Sequence, residues 1–318
     1  MRILVVGAGA IGGYFGGRLL EAGRDVTFLV RPRRASELAE SGLRIRSKFG
    51  DVTLRAPRTV LAADLASSFD LVLLSCKAYD LEEAMASIAP AVGPQTAILP
   101  LLNGMRHTDL LAERFGTSRV LGGLCVISVL LTPDGVIDHL SEFHDLAFGE
   151  LPGARSHRIE SVASALLGAG FDSRLSTAIL QEMWEKWVFI ATMAGMTCLM
   201  RAAVGDIVAA GATDLVTALL DECSAIARGQ GFTLSAAALE RMRAMLTMPG
   251  STLMASMLRD IERGSPIEGD HILGDLARRG DEAPLLRVAY AQVKAYEARR
   301  AREGHHNQRT RAAVAETT

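Results

Sequence analysis

A strand, a glycine loop, a helix and a second strand are predicted within residues 1–31, and this unit restricts the fold more than any other part of the chain. The apolar run at 3–6 leads directly into Gly-Ala-Gly-Ala-Ile-Gly, a helix pattern follows, and 26–30 reads as the next strand. Strands that alternate with helices form parallel sheets. The chain is therefore predicted to begin as an α/β domain with a Rossmann-type parallel sheet.

Each glycine of this loop has its own physical role. Gly7 permits the tight turn, Gly9 lets the backbone approach a pyrophosphate, and Gly12 lets the helix pack against the strand. The phosphates would lie at the helix N-terminus, where unpaired N–H groups and the helix dipole favour negative charge. The position of the loop between strand and helix favours a dinucleotide site over a turn without a ligand. The predicted cofactor-binding residues of the loop are Gly7, Gly9, Ala10, Ile11 and Gly12.

The residue after the second strand indicates whether the site prefers NAD(H) or NADP(H). A site for NAD usually has Asp or Glu about 20 residues beyond the loop, where the side chain binds the ribose 2′-hydroxyl. This chain has Arg31, Arg33 and Arg34 there instead. A guanidinium suits a 2′-phosphate, which a carboxylate would repel, so Arg31 predicts NADP(H). A solvated basic loop is the alternative that the sequence leaves open.

Composition bounds the domain count and the partners. With 318 residues and 49% hydrophobic content, the chain has enough apolar material for two ordinary domains. A net charge of -2 argues against nucleic acid as a main partner. The longest apolar stretch, residues 187–200, is shorter than the roughly 20 residues that span a bilayer. The 4 cysteines are far apart in sequence, which predicts reduced thiols in a cytoplasmic protein.

Two further strands are predicted at 70–75 and 96–101, and polar residues follow each. Ligands of an open parallel sheet gather at the carboxyl ends of its strands, where Lys77 and Asn103 would lie. Both are candidates to bind the cofactor or the substrate. Each is also a common kind of polar loop residue, so position alone does not decide its role.

The segments at 120–131 and 136–139 are predicted to be antiparallel strands that close the edge of the sheet, because a Thr-Pro-Asp-Gly turn separates them. His139 and His144 lie in this region without neighbours at metal-ligand spacing. We therefore predict that they are structural histidines, and no metal site is expected.

The second half of the chain has a different pattern. Beyond Ser176 the sequence is rich in Ala, Leu and Met up to about Arg300, which predicts a helical domain. The predicted organisation is a nucleotide-binding domain at 1–175, a helical substrate domain at 176–303 and a disordered tail at 304–318. The apolar stretch at 187–200 is compatible with a homodimer interface.

Lys186 opens the most apolar helix of this second domain, and two interpretations of it are open. Glu182 lies one helical turn earlier, in a good orientation for an ion pair. Alternatively, Lys186 faces a cleft against the nucleotide domain, where partial desolvation would lower its pKa and make it a competent proton donor.

The set of motifs resembles the ketopantoate reductase family. It comprises GAGAIGG, Arg31, CKAY, LLNG, WEKW and SMLRDIERGSPIEGD, in the family's order over about residues 1–300. The resemblance implies a Rossmann domain, a helical domain similar to that of 6-phosphogluconate dehydrogenase, and an active site between them. It also implies reduction of ketopantoate to pantoate with NADPH, on the route to pantothenate.

The resemblance assigns roles residue by residue. Lys186 matches the catalytic lysine that protonates or polarises the carbonyl oxygen, and Glu268 matches the acidic residue that holds the substrate oxygens and the lysine. Ser256 matches a serine that binds substrate. Asn103 and Lys77 match residues that line the cleft for cofactor and substrate. The expected partner is a small keto acid.

Three positions depart from the family pattern. Asparagines expected four and eight residues after the lysine are Ile190 and Ala194, and one expected three residues before the serine is Leu253. Losing these amides makes the predicted pocket more apolar and weakens its selection of a polar substrate. Two alternatives follow: a reductase of the same fold for a less polar ketone, and an NADPH-binding protein without catalysis.

Overall fold

The structure, a computed structural model, describes residues 1–315, with side chains for residues 1–303. The chain divides into two compact units, Met1–Met183 and Trp184–Thr318, which are called the N-terminal and C-terminal units below. Their boundary lies inside a long helix, whereas the boundary predicted from sequence follows the last strand. The predicted disordered tail at 304–318 falls outside the residues with described side chains and stays a prediction.

All twelve strands of the described residues lie in the N-terminal unit. In chain order they are β1 (Arg2–Val6), β2 (Asp25–Leu29), β3 (Leu43–Arg46), β4 (Val52–Leu54), β5 (Thr59–Val60), β6 (Leu71–Leu74), β7 (Ala97–Pro100), β8 (Leu121–Val126), β9 (Val129–Leu131), β10 (Val136–His139), β11 (Asp145–Glu150) and β12 (Asp172–Leu175). The first sheet has the order β5-β2-β1-β6-β7, and every pair in it is parallel. The predicted parallel α/β domain is therefore confirmed.

Helices connect these strands and form the rest of the described chain. In chain order they are α1 (Ala10–Glu21), α2 (Pro32–Ser41), α3 (Leu81–Ile88), α4 (Arg106–Phe115), α5 (His157–Leu166), α6 (Ile179–Met200), α7 (Val204–Ala209), α8 (Thr213–Gly229), α9 (Ala236–Leu246), α10 (Ser256–Glu262), α11 (Asp275–Arg278) and α12 (Pro284–Ala315). Helices alone make up the regular structure described in the C-terminal unit, which confirms the predicted helical domain. None of the helices with described residues has the length and hydropathy that crossing a membrane requires.

The central strand β1 shows how the sequence builds two layers of core. Ile3 and Val5 belong to one buried cluster, together with residues of α1, and Leu4 belongs to a second cluster that includes Leu81 and Ile88 of α3. Successive side chains of a strand point to opposite faces of the sheet. A strand with both faces covered is buried throughout, as parallel strands usually are.

The strands predicted to close the sheet edge pair differently from that expectation. β9 and β10 are antiparallel, with Leu131 opposite Ile137, as predicted. They do not join the parallel sheet, however, because β10 pairs in parallel with β3 and forms a second sheet of order β4-β3-β10-β9. A third sheet has the order β12-β11-β8.

The glycines of α1 explain why a second sheet packs there. A Cβ added at Gly13 would lie 2.4 Å from Ile137 of β10, and one added at Gly17 would lie 2.6 Å from Leu43 of β3. One added at Gly16 would lie 2.6 Å from Phe28 of the parallel sheet. Helix α1 is therefore held closely between two sheets, and the apolar residues of β10 are buried by this contact rather than by the edge of the first sheet.

A histidine pair is packed against α1 beneath the second sheet. The Tyr14 hydroxyl lies 2.7 Å from Nδ1 of His144 and 3.4 Å from Nδ1 of His139, which also lies 2.9 Å from the Ser47 hydroxyl. The Phe49 ring stacks on His144 with 4.0 Å between the ring centroids. Both histidines thus have structural hydrogen bonds, in agreement with the prediction for them.

Burial of His144 makes stability depend on pH. Desolvation lowers the pKa of His144 below 6.5, although the Asp172 carboxylate opposes this shift; the other charged or titratable groups acting on it are His139, Arg18 and Asp145. A depressed folded-state pKa means that the unfolded chain binds the proton more readily. This contribution to stability is present above pH 6.5 and is lost as the pH falls through the range below it.

We expect the free energy of unfolding of the wild-type chain to fall between pH 7.5 and pH 5, by up to about 1.4 kcal/mol per unit of pKa difference between the unfolded and folded states. In a His144→Asn variant this part of the pH dependence is expected to disappear. Urea titrations of both proteins at several pH values measure it. Equal slopes for the two proteins would contradict the assignment to His144.

Candidate functional site

The glycine loop connects β1 to α1 and has the backbone geometry that its sequence predicts. Gly7 has φ +90°, a conformation that glycine adopts without strain, and its N–H donates to the Leu29 carbonyl at 2.9 Å. A Cβ added at Gly12 would lie 2.1 Å from both the Gly7 carbonyl oxygen and the Ser75 hydroxyl oxygen. Only glycine fits at position 12, because the helix lies directly on the strand end.

Gly9 differs from its neighbours because it faces open space. No atom lies within 4 Å of a Cβ added there, and the residue is the N-cap of α1 without a capping side chain. Ala10 and Ile11 begin the helix, and both are half-buried. The N-terminus of α1 therefore has open space beside Gly9 and N–H groups without a capping side chain, which fits a pyrophosphate.

Arg34 supports the loop from the neighbouring helix α2. Its Nε donates to the Ala8 carbonyl at 3.0 Å and its Nη1 donates to Glu37 at 3.0 Å. Its Nη2 is buried and has no hydrogen-bond partner among the described residues. The sequence grouped this residue with Arg31 and Arg33, but in the structure it fixes the backbone of the glycine loop. In the sequence, nothing but its position three residues after Arg31 indicates this role.

Arg31 lies at the end of β2, where the sequence predicts it, and it forms two ion pairs. Its Nη2 donates to Asp80 at 2.9 Å and to Glu83 at 2.6 Å, and its side chain is 63% exposed. The hydrogen bond to Asp80 and then that to Glu83 raise the pKa of Arg31. Nothing in the sequence marks these carboxylates as partners of Arg31, although they follow Lys77 by only a few residues. The cation is therefore in place, but it is shared with two anions.

The carboxyl ends of β1, β6 and β7 bring the remaining N-terminal candidates to one edge. Ser75 follows β6 and donates to the Val6 carbonyl at 2.8 Å, which joins the ends of β6 and β1. Lys77 is exposed two residues further on, and Asn103 is half-buried after β7. Since β6 and β7 are adjacent and parallel, these residues and the glycine loop share the edge where ligands of such sheets bind.

In the C-terminal unit, Lys186 is half-buried on α6. Glu182 is the ion-pair partner that the sequence offers for Lys186. In the structure its carboxylate accepts hydrogen bonds from Arg174 at 3.0 Å and from Ser176 at 2.6 Å. Burial disfavours the charged form of Glu182, but these hydrogen bonds outweigh it and lower the pKa. The role of Glu182 in the N-terminal unit is thus explained without Lys186, and both interpretations of the lysine stay open.

Glu268 lies two residues before a π-helical turn, Asp270–Gly274, that leads into α11. The indole N–H of Trp187 donates to the Ile272 carbonyl of this turn at 3.0 Å. Wide π-type turns inside helices are frequent at functional sites. The residue next to Lys186 thus ties α6 to the turn that follows Glu268, a connection that the sequence does not reveal.

Ser256 is exposed at the first position of α10. The N–H of the preceding residue, Ala255, lies 3.4 Å from the Thr197 hydroxyl of α6. The three positions that depart from the family pattern carry apolar side chains: Ile190 and Leu253 are half-buried and Ala194 is buried. No group of three or more His, Cys, Asp or Glu side chains able to hold a metal occurs among the residues that the structure describes.

The comparisons with known proteins define the class and then the family. A parallel-sheet domain with a glycine loop at its strand ends, followed by a helical domain, defines a two-domain dinucleotide-type oxidoreductase. The family models described as "Ketopantoate reductase PanE/ApbA" and its C-terminal domain match residues 3–153 and 178–297. The chain belongs to the ketopantoate reductase family, whose members are oxidoreductases that act on a ketone.

Individual relatives cover nearly the whole chain. An uncharacterized oxidoreductase of Bacillus subtilis, YkpB, is 38% identical, over 94% of this chain and 99% of its own. The crystal structure of 2-dehydropantoate 2-reductase from Methylococcus capsulatus is similar with a TM-score of 0.84 and 31% identity, over 94% of this chain and 98% of that one. A ternary structure of D-mandelate dehydrogenase with NADH and anilino(oxo)acetate shares the fold, with a TM-score of 0.85 and 21% identity over 95% and 99% of the two chains.

Proposed function

We propose that the chain is an NADPH-dependent reductase that converts a 2-oxo acid to a 2-hydroxy acid, with ketopantoate as the first candidate substrate. The observation that carries this proposal is the set of family positions filled in both units: the glycine loop and Arg31 in one, Lys186 and Glu268 in the other. A protein that only bound the nucleotide would need neither Lys186 nor Glu268.

The residues of the N-terminal unit fit the cofactor. The open space beside Gly9 would accommodate a pyrophosphate, and a side chain at this position would occupy part of that space. Arg31 would hold the 2′-phosphate, and Lys77 and Asn103 would contact the ribose and nicotinamide side. Ala10, Ile11 and Gly12 would direct their N–H groups to the phosphates.

The reaction balances as one hydride and one proton added to the ketone. When bound, NADPH would supply the hydride for the carbonyl carbon. The Lys186 ammonium donates its proton to the carbonyl oxygen as negative charge develops there. Glu268 accepts a hydrogen bond from the lysine and from a hydroxyl group of the substrate, and Ser256 donates to a substrate oxygen. The fixed ammonium and its carboxylate partner are the groups of this chain that lower the barrier.

A second substrate class is supported by three side chains. Ile190, Ala194 and Leu253 stand where the family pattern has amides, so the pocket offers fewer partners for a polar substrate. A buried site rejects analogues strongly only where it has polar groups that must be paired. The D-mandelate dehydrogenase structure shows that this fold also accommodates an aromatic oxo acid derivative. A bulkier, less polar 2-oxo acid is therefore our second candidate.

The test is NADPH oxidation, followed by absorbance, with ketopantoate and a panel of aliphatic and aromatic 2-oxo acids. Turnover of ketopantoate above the others supports the first candidate, and turnover of a less polar 2-oxo acid alone supports the second. Tight NADPH binding with no turnover on the whole panel would contradict both and favour a binding protein.

Replacing Arg31 with aspartate is expected to raise the Kd for NADPH at least tenfold and to change the Kd for NADH much less. A hydrogen bond to a charged group contributes about 1.5–3 kcal/mol, and an aspartate would in addition repel the 2′-phosphate. Fluorescence titration with each nucleotide measures both constants. Equal losses for NADPH and NADH would show that Arg31 does not contact the 2′-phosphate.

We further propose a cytoplasmic location. The four cysteines, all within the described residues, form no disulfide, and burial raises the pKa of Cys198 and of Cys223 to about 12. Such thiols stay protonated and unreactive, as in a reducing compartment. The homodimer stays a prediction; most residues of the apolar stretch at 187–200 are buried within the chain.

A further inference from the structure

The ion pairs of Arg31 bear on which nicotinamide nucleotide the chain prefers. A single guanidinium nitrogen, Nη2, donates to Asp80 Oδ1 at 2.9 Å and to Glu83 Oε2 at 2.6 Å. Asp80 ends the short 3₁₀ turn after β6 and is the N-cap of α3, and Glu83 lies in the first turn of that helix. Arg31 and Glu83 are largely exposed, so a ligand can reach all three charges.

The charges of this cluster do not balance. Two carboxylates and one guanidinium leave a net charge of −1 before a nucleotide arrives. A 2′-phosphate that binds Arg31 has to displace these carboxylates or lie beside them, and like charges at such distances repel. A ribose 2′-hydroxyl meets no such obstacle, because carboxylate oxygens accept a hydrogen bond from it. The two carboxylates therefore disfavour NADPH, which carries the 2′-phosphate, relative to NADH.

We propose that Asp80 and Glu83 set the cofactor selectivity of this chain, because they compete with the 2′-phosphate for Arg31 and so reduce the preference for NADPH over NADH. This inference rests on the proposed function, in which Arg31 holds the 2′-phosphate. Neither carboxylate belongs to the predicted site.

Both carboxylates have a second use that the experiment must separate. Acidic side chains in the first turn of a helix stabilise it through the helix dipole. Glu82 lies in the same turn of α3 and has the same charge, but the two ion pairs of Arg31 go to Asp80 and Glu83. A Glu82→Gln variant is thus a control for helix and charge effects that do not involve Arg31.

The experiment measures the Kd values of NADPH and NADH by fluorescence titration at one low ionic strength. For the double variant Asp80→Asn, Glu83→Gln, we expect the Kd for NADPH to fall about tenfold, the scale of two exposed ion pairs. The Kd for NADH is expected to rise or to change less than about twofold. Glu82→Gln is expected to change neither by more than about twofold. An unchanged ratio of the two constants in the double variant, or the same change in Glu82→Gln, would overturn the inference.

The Arg31→Ala background tests whether the effect passes through the arginine. There, the double substitution is expected to improve NADPH binding by about threefold or less, because only direct repulsion remains. A full tenfold gain without Arg31 would overturn competition as the cause. If the wild-type chain binds neither nucleotide, the proposed function fails together with this inference. If it binds both and the double variant keeps the wild-type ratio, the inference fails alone.

Discussion

Replacing Lys186 with alanine is expected to lower kcat at least about 100-fold and to leave the Kd for NADPH little changed. A positioned proton donor contributes on the order of 10²–10⁴ in rate. Lys186 is half-buried, and the Glu182 carboxylate one turn earlier already binds Arg174 and Ser176. The predicted loss therefore tests the chemical role of the lysine against the ion-pair role.

Single-turnover and steady-state rates on the substrate that the panel identifies would measure this loss. Lys48→Ala is the matched control, because it removes a lysine that is paired with Glu142 at the protein surface. We expect the control to retain the wild-type kcat. A Lys186→Ala enzyme with an unchanged rate would show that the lysine serves only to pair or to be solvated.

Two glycines of the phosphate loop, Gly12 and Gly9, are expected to differ in how the same substitution affects stability. In Gly12→Ala the new methyl group would lie 2.1 Å from the Gly7 carbonyl oxygen, and backbone cannot move aside as a flexible side chain can. We expect unfolding to become easier by about 3 kcal/mol, the scale of a severely overpacked site. Nucleotide binding is expected to be lost with the loop geometry.

In Gly9→Ala the methyl group enters open space, and φ of −81° suits alanine. Stability is therefore expected to change by less than about 1 kcal/mol, since alanine is only a poorer N-cap. The Kd for NADPH is nevertheless expected to rise at least about tenfold, because the methyl group lies where the pyrophosphate approaches the backbone. Urea unfolding and fluorescence titration of both variants measure these effects. Wild-type NADPH affinity in Gly9→Ala would contradict the placement of the pyrophosphate.

The sequence predicted the parts of this molecule that depend on local patterns. The glycine loop, the alternation of strands and helices, and the change to helix after Ser176 are all encoded by neighbouring residues. The pairing of β9 with β10 was also predicted, because a four-residue turn joins them. The sequence did not predict that β9 and β10 belong to a second sheet, since Ile137 pairs with Ile45 some ninety residues earlier in the chain. No local pattern carries a register between such distant residues.

The same distinction holds for the candidate site. Positions that follow a motif, such as Arg31 and Lys186, could be named from the sequence, but their partners could not. Asp80 and Glu83 form ion pairs with Arg31 from a different strand connection, and the Trp187 indole donates to the Ile272 carbonyl of the π-helical turn. Side-chain hydrogen bonds between distant elements depend on the packed fold. These partners therefore had to come from the structure.

The central claim is that Lys186 delivers a proton to the ketone oxygen of a 2-oxo acid while nicotinamide is bound. A crystal structure of the chain with NADP⁺ and the substrate selected by the panel tests it most directly. The account predicts that Nζ of Lys186 lies within hydrogen-bond reach, about 3 Å, of the substrate's ketone oxygen. An amine that extends into bulk water, away from both ligands, would contradict it.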